Sequence, residues 1–248
     1  MYIPKIVEGQ PQSPLIFPGA ERTTPTVSVV IPTLNEAKNL PHVLPRIPKW
    51  IDEVVIVDGR SSDNTVEVAT QLLPKAKIVM ETRKGKGAAL RAGFSAASGD
   101  IIVMLDADGS MAPEEITLFV GALLAGAEFV KGSRFMQGGG TSDMEFHRYL
   151  GNYGLLMVAR LLFGGRYSDL CYGYAAFWKH TLPALNLQSD GFEIETEMNV
   201  RALRTKLKIS EVPSFESERI NGTSNLNAIR DGLRIVRTML VEYFHRQN

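Results

Sequence analysis

Four short aliphatic runs, each followed by a polar turn and a helix-length segment, constrain this chain more than any other feature. They are Val27–Pro32, Glu53–Asp58, Ala76–Met80 and Ile101–Leu105. Little polar alternation interrupts them, which is the pattern of strands buried on both faces. The intervening stretches read as helices: 35–47, Asp63 to Leu73, and the Ala-rich Lys86–Ala97. Asn35 and Asp63 are placed to cap the first two. Prolines at 41, 45 and 48 keep the first of these helices short or irregular. Pro113 suits the first turn of a further helix running to about Ala125, and Glu128–Gly132 supplies a fifth strand. Strands alternating with helices of this length predict right-handed crossovers and a mostly parallel sheet flanked by helices, an α/β fold. In such a sheet ligands bind beyond the carboxyl ends of the strands.

The fourth run ends in two carboxylates one residue apart, Asp106 and Asp108. Side chains at i and i+2 of an extended chain point the same way, so both can converge on one hard cation. Oxygen ligands suit Mg²⁺ or Mn²⁺, and Mg²⁺ is usually shared with a substrate phosphate. A plain strand-to-turn junction is the alternative, since Asp and Gly favour turns. Three other strand ends carry polar clusters as well: Pro32-Thr-Leu-Asn35-Glu36, Asp58-Gly-Arg-Ser-Ser-Asp-Asn-Thr65 and Thr82-Arg-Lys-Gly-Lys86-Gly87. Capping explains one such end; four in succession point to a ligand-binding edge.

Past Gly132 the rhythm changes. A glycine loop at 137–140 leads into an apolar helix, 147–163, and a strand-like aromatic segment follows at Tyr172–Trp178. Helix 192–204, strand 208–212 and a terminal helix from Asn225 to about Phe244 complete the chain. Residues 1–25 hold five of the 13 prolines and read as an arm. The expected division is therefore an arm, 1–25, and a single domain, 26–248, whose 26–134 half reads as nucleotide-type and whose 135–248 half reads as an acceptor-side elaboration on the same sheet. Formal net charge is zero, which gives no global pull toward nucleic acid. The single cysteine, Cys171, forms no internal disulfide and fits a reducing compartment. The N-terminus lacks a signal-peptide pattern and no window of ~20 residues is uniformly apolar. A cytoplasmic location, or a peripheral one at a membrane surface, is expected; oligomeric state is not legible.

The motifs IPTLNE, VDGRSSDNT, GKGAALRAG, DADGS, GSR at 132–134 and DGFEIETEM at 190–198 resemble family-two glycosyltransferases of the GT-A fold, nearest the dolichol-phosphate mannosyltransferase branch. The resemblance covers about residues 26 to 225. It implies a metal-dependent transfer, with inversion, from a nucleotide-diphosphate sugar to a polyprenyl phosphate. It also implies that Pro32, Asn35 and Glu36 line the base and ribose pocket, that Asp58 contacts base or ribose, that Asp106 touches sugar or ribose and metal, and that Asp108 binds metal. Two positions depart from the pattern: Gly59-Arg60 stands where the family usually has a second Asp, and Ser110 stands where the mannosyl-phosphate branch often has Gln.

Physical chemistry adds candidates beside the resemblance. A departing diphosphate gathers charge that cations stabilise, and Lys86, Arg134 and Arg219 are placed to supply it, Lys86 at a helix start that favours anions. Each also reads as an ordinary surface or loop cation. Asp169, Glu193 and Glu195 are acidic candidates near the acceptor; a hydroxyl acceptor needs a general base, whereas a phosphate does not. Glutamates at a helix start also serve simply to complement its dipole. Tyr149, Tyr153, Phe163, Tyr167, Tyr172, Tyr174, Phe177 and Trp178 concentrate in the second half and suit a sugar face or a lipid chain. In the terminal helix Leu226, Ile229, Leu233, Val236, Leu240 and Phe244 recur at helical spacing beside Arg230, Arg234 and Arg237. That face either packs on the domain or meets an anionic membrane. The rival readings are transfer to a hydroxyl of a sugar or small molecule, and a non-catalytic nucleotide-sugar-binding protein.

Overall fold

The computed structural model describes residues 24–142, 144, 146–165, 167–222 and 228–244, with backbone alone at 146–148 and 228–231. The arm at 1–23, together with Leu226 and the side chains of Ile229 and Arg230, lies outside the described residues. The aliphatic runs become β1 (Val27–Thr33), β2 (Glu53–Asp58), β3 (Lys77–Met80) and β4 (Ile101–Met104). Between them run α1 (Leu40–Val43), α2 (Thr65–Leu72) and α3 (Lys86–Ala96); α4 (Ile116–Leu124) precedes β5 (Phe129–Ser133). The second half adds β6 (Gly140–Thr141), α5 (Phe146–Phe163), β7 (Ala175–Trp178), α6 (Leu182–Leu185), α7 (Ile194–Arg204), β8 (Ile209–Pro213), β9 (Phe215–Glu216) and α8 (Ala228–Phe244).

Seven strands form one sheet in the order β3-β2-β1-β4-β7-β5-β8. All neighbours are parallel except β7, which runs antiparallel to both β4 and β5. β6 and β9 pair in a small second sheet. Alternate residues of the central strands enter opposite cores. Val29, Ile31, Ile56, Ile101 and Val103 pack with α1, α2 and α4, whereas Val30, Val55, Val57, Ile102 and Met104 pack with α3 and α7. Burying each such side chain contributes on the order of 1.5–3 kcal/mol, which is why these runs carry no polar face. A third cluster joins α5, α7 and α8 through Leu156, Ala159, Val200 and Met239.

Local chemistry accounts for two departures from expectation. Asn35 is not a helix cap: it takes a left-handed conformation, φ 59°, and its Oδ1 accepts the Ser62 N–H at 2.7 Å. The first helix shrinks to one α-turn and a 3₁₀ turn, Leu44–Arg46, each with a proline in its opening positions. Several aromatic residues assigned to the acceptor surface belong to the core instead. Tyr167, Tyr172, Tyr174 and Phe177 are buried, and Phe119 stacks on Tyr174; Tyr149 and Tyr153 remain exposed.

Candidate active site

A cleft of about 310 Å³ opens at the carboxyl ends of β1 and β4, bounded by the start of α3, the 171–173 segment and the strap that includes β9. The strand that carries the acidic pair stops at Met104, and Gly109, at φ 84°, turns the chain away. Asp108 is held in that turn: its Oδ1 accepts the Ser110 N–H at 2.9 Å and the Ser110 hydroxyl at 2.7 Å. Ser110 thus fixes the Asp108 carboxylate within the turn.

Lys86 bridges two carboxylates across the cleft, Asp106 and Glu195, each at 2.7 Å. Burial draws the Lys86 ammonium down, but the attraction of Asp106 and then of Glu195 outweighs it and raises its pKa. Burial pushes the Asp106 carboxyl up to about 6; Lys86 opposes that shift, while Asp108 and Glu195 add to it by like-charge repulsion. Gly173 lets this group assemble: a Cβ there would lie 2.7 Å from Glu195 Oε1 and 3.0 Å from Lys86 Nζ. Gly85, at φ 115°, starts α3 in a conformation that L side chains disfavour and packs directly on the Asp190 carbonyl.

The strap crosses the other side. Arg219 donates to Asp108 at 2.8 Å and to Glu36 at 3.2 Å. Its neighbours Ser217 and Ile220 donate backbone N–H groups to Ser110 O and Asp108 O. Arg134, at the end of β5, makes a bidentate pair with Asp169 at 2.6 and 2.9 Å and reaches Glu216 at 2.9 Å. Burial opposes its charge, yet the hydrogen bonds to Asp169 raise its pKa, and they hold the Asp169 carboxyl below its usual range.

Of the residues singled out from sequence, the cleft brings together Pro32, Glu36, Lys86, Asp106, Asp108, Arg134, Glu195 and Arg219. It does not include four others. Asn35 is exposed on the β1–β2 side, and Asp58 is buried, accepting the Ser61 N–H at 2.9 Å. Asp169 is fully buried behind Arg134, where it positions that guanidinium and has no access to an acceptor. Glu193 faces a separate groove between α7 and α8. Two partners escaped sequence reasoning. Glu216 sits on a two-residue strand with no motif around it. Lys131 is buried in β5 and donates to the Tyr172 carbonyl, bracing the 171–173 wall; a lone lysine inside an aliphatic strand was its visible sign.

The donor set fits a hard divalent cation. Asp106 and Asp108 offer carboxylate oxygens on one cleft wall. Among the described residues no group of three or more His, Cys, Asp or Glu encloses an ion by itself, so ligand oxygens would complete its shell.

Residues 28–180 match the family model Glycosyl transferase family 2. The chain is 34% identical to a protein named Dolichol-phosphate mannosyltransferase from Pyrococcus furiosus, over 81% of this chain and 59% of that protein; the chain thus spans about three fifths of that relative's length. It is 31% identical to Polyprenol monophosphomannose synthase of Mycolicibacterium smegmatis, over 85% of this chain and 84% of that one. It is 32% identical to Undecaprenyl-phosphate mannosyltransferase of Micrococcus luteus, over 81% and 87%. Among solved structures it resembles glucosyl-3-phosphoglycerate synthase from Mycobacterium tuberculosis in complex with phosphoglyceric acid, with a TM-score of 0.72, 26% identity, and coverage of 89% of this chain and 80% of that one. A further crystal structure of that synthase holds Mn²⁺, uridine diphosphate and glucosyl-3-phosphoglycerate; it matches at a TM-score of 0.69 and 24% identity, a likeness of fold. The chain belongs to glycosyl transferase family 2 and carries its GT-A fold.

Proposed function

We propose that this protein transfers a sugar, with inversion and with the help of Mg²⁺ or Mn²⁺, from a nucleotide-diphosphate sugar to a polyprenyl phosphate at a membrane surface. One observation carries the choice of acceptor. Among the described residues, every carboxylate lining the cleft is already engaged by a cation: Glu36 and Asp108 by Arg219, Asp106 and Glu195 by Lys86, and Glu216 by Arg134. None stands ready as a general base, which a hydroxyl nucleophile requires. A phosphate is an anion at neutral pH and needs none. The names of the relatives at 31–34% identity support the same acceptor class.

In this reading Pro32 and Glu36 flank the nucleoside, with Asn35 and Asp58 shaping the loops around it. Asp106 and Asp108 would hold the metal, which when bound supplies a Lewis acid at the diphosphate. A phosphate oxygen of the acceptor attacks the anomeric carbon from the face opposite the diphosphate, and the bond to the leaving oxygen breaks with its electron pair. Lys86 and Arg219 neutralise the charge gathered there. Arg134, braced by Asp169 and Glu216, offers its charge to the acceptor phosphate.

The test is incubation with a panel of nucleotide sugars, Mn²⁺ and a short-chain prenyl phosphate, with mass detection of the glycosylated phosphate and Asp108→Ala as control. Product that vanishes in the control supports the proposal. A second reading, transfer to a hydroxyl of a small phosphorylated acceptor, is favoured by the likeness to a synthase bound to phosphoglyceric acid. Glycosylation of phosphoglyceric acid with no prenyl product would establish it over the first. Donor binding without transfer or hydrolysis would leave a binding protein.

A further inference from the structure

Glu197 is a buried carboxylate outside the cleft, 2% exposed, on the first turn of α7. Two residues apart on a helix, Glu195 and Glu197 project about 200° from one another. Glu195 enters the cleft and pairs with Lys86 at 2.7 Å. Glu197 instead reaches the chain at 188–190, which has no helix or strand of its own. Its Oε1 and Oε2 accept the Gln188 N–H at 3.0 and 3.2 Å, and Oε2 also accepts the Ser189 N–H at 2.9 Å.

That segment is the bed on which α3 starts. A Cβ at Gly85 would overlap the Asp190 carbonyl, and one at Gly87 would overlap the Ser189 carbonyl. The Asp190 carbonyl also accepts the Ala88 N–H at 3.1 Å. Lys86 therefore stands between two glycines seated on this backbone, and its ammonium spans the cleft to Asp106. Gly85 lines both the cleft and the groove between α7 and α8, so the junction of bed and helix is a thin partition between two cavities.

Burial decides which contact holds the bed. Arg91 on α3 pairs with the Asp190 side chain, but that side chain is 53% exposed, and exposed pairs contribute little. Glu197, buried and paired with Arg201 at 2.8 Å, makes charge-assisted bonds to backbone N–H groups, roughly twice as strong as neutral ones. Arg201 has a second counter-charge in Glu242 at 2.7 Å, so neutralising Arg201 does not account for Glu197.

We propose that Glu197 is a positioning residue for Lys86, holding residues 188–190 so that α3 delivers the Lys86 ammonium to the diphosphate of the donor. The inference rests on the reading of a nucleotide-diphosphate sugar as donor. Helix α7 then fixes Lys86 twice, at its ammonium through Glu195 and at its backbone through Glu197. Such support matters because a displacement of about 1 Å can cost ~10²-fold in rate.

The experiment is a double-mutant cycle on the full chain. Wild type, Glu197→Gln, Lys86→Met and the double variant are titrated by calorimetry with Mn²⁺ and the diphosphates of uridine, guanosine, adenosine, cytidine and thymidine, and the one that binds the wild type most tightly is compared throughout. Glu197→Gln keeps the shape of the side chain and removes its charge and one acceptor. It weakens binding about tenfold in the wild-type background, the scale of one charge-assisted contact, and less than about twofold in the Lys86→Met background, because it acts through Lys86. A role in the fold alone lowers Tm in both backgrounds and leaves binding well below Tm unchanged. Glu197→Asp keeps the charge, shortens the reach by one methylene and carries the same cycle where Glu197→Gln does not fold. Unchanged binding in the Glu197 variants, or equal losses in the two backgrounds, overturns the positioning role and leaves the donor reading intact. A wild type that binds none of these diphosphates overturns the donor reading, and the role of Glu197 falls with it.

Discussion

Lys86→Met is the most informative single perturbation, because it removes one cation from between two carboxylates without changing the shape of the cleft much. In the wild type the ammonium pairs at 2.7 Å with both Asp106 and Glu195, and the three side chains are 12%, 25% and 13% exposed. Removing one member of a buried ion pair costs ~3–5 kcal/mol, because the abandoned charge stays desolvated. Partial exposure of Asp106 lets water answer some of it, so about 3 kcal/mol is expected at pH 7. For a chain of 248 residues, that corresponds to a fall in Tm of roughly 6–12 °C. Lys86 is the main influence holding the Asp106 carboxyl down against its burial, so without it the carboxyl titrates above about 6. The loss should then shrink at pH 5, where Asp106 takes up a proton and no longer adds a desolvated charge. Mn²⁺ should raise the Tm of the variant by more than that of the wild type, since it restores positive charge to the same oxygens. Calorimetry at pH 5 and 7, with and without Mn²⁺, measures all of this, with Lys86→Arg as the charge-preserving control. A variant within about 2 °C of the wild type at pH 7 would show that these carboxylates are solvated and that the bridge contributes nothing.

Three further outcomes are expected. Asp106 stands at about 6 in the folded chain, against an ordinary 3.8; it therefore favours the metal-free fold on acidification from pH 7 to 5 and loses that contribution as pH rises through 6. Mn²⁺ binding needs the ionised carboxylate, so its affinity by calorimetry should be level above pH 7 and fall about tenfold per unit below 6. Asp169→Asn should leave the Arg134 guanidinium with one formal anion fewer in a buried site, lowering stability by about 3 kcal/mol; an unchanged denaturation midpoint would show that Glu216 alone suffices. Gly85→Ala should lower stability by at least ~2 kcal/mol, combining a left-handed backbone with overlap of the Asp190 carbonyl, and a stable variant with unchanged donor binding would refute the tight seating of α3.

The strands that frame the donor side were legible because they are buried on both faces and their aliphatic runs cannot be mistaken for surface. β2 falls at the expected residues, 53–58, and β1 differs from expectation by one residue at its end. The cleft residues legible in sequence were those in the polar tails of these strands, where local spacing decides direction: Asp106, Asp108, Lys86 and Glu36. Illegible were partners set by long-range closure. Glu195 reaches Lys86 from 109 positions away in the chain and Glu36 meets Arg219 across 183, and neither pairing has a local sign. The aromatic residues of the second half misled for the same reason. Composition reports that Tyr172 and Tyr174 are present, but only the packing of β7 against α4 decides that they face the core. In α8 the stripe Leu233–Leu240–Phe244 has helical period, yet the face that packs is Ile235 and Met239, because apolar residues occupy both sides and the period alone cannot choose between them.

The place of β7 in the sheet has a consequence for how the protein is made. β4 leaves the ribosome early, but its neighbour on one side is Ala175–Trp178, and β5 reaches the sheet only through that same strand. About 70 residues must be synthesised between Met104 and Trp178, which takes on the order of 4–15 s at ribosomal rates. Throughout that interval the nascent chain holds an aliphatic strand with one edge unpaired, and β5 has no partner at all. Such an edge is a template for pairing with another chain, so a chain truncated anywhere between β5 and β7 should aggregate rather than yield a donor-binding fragment.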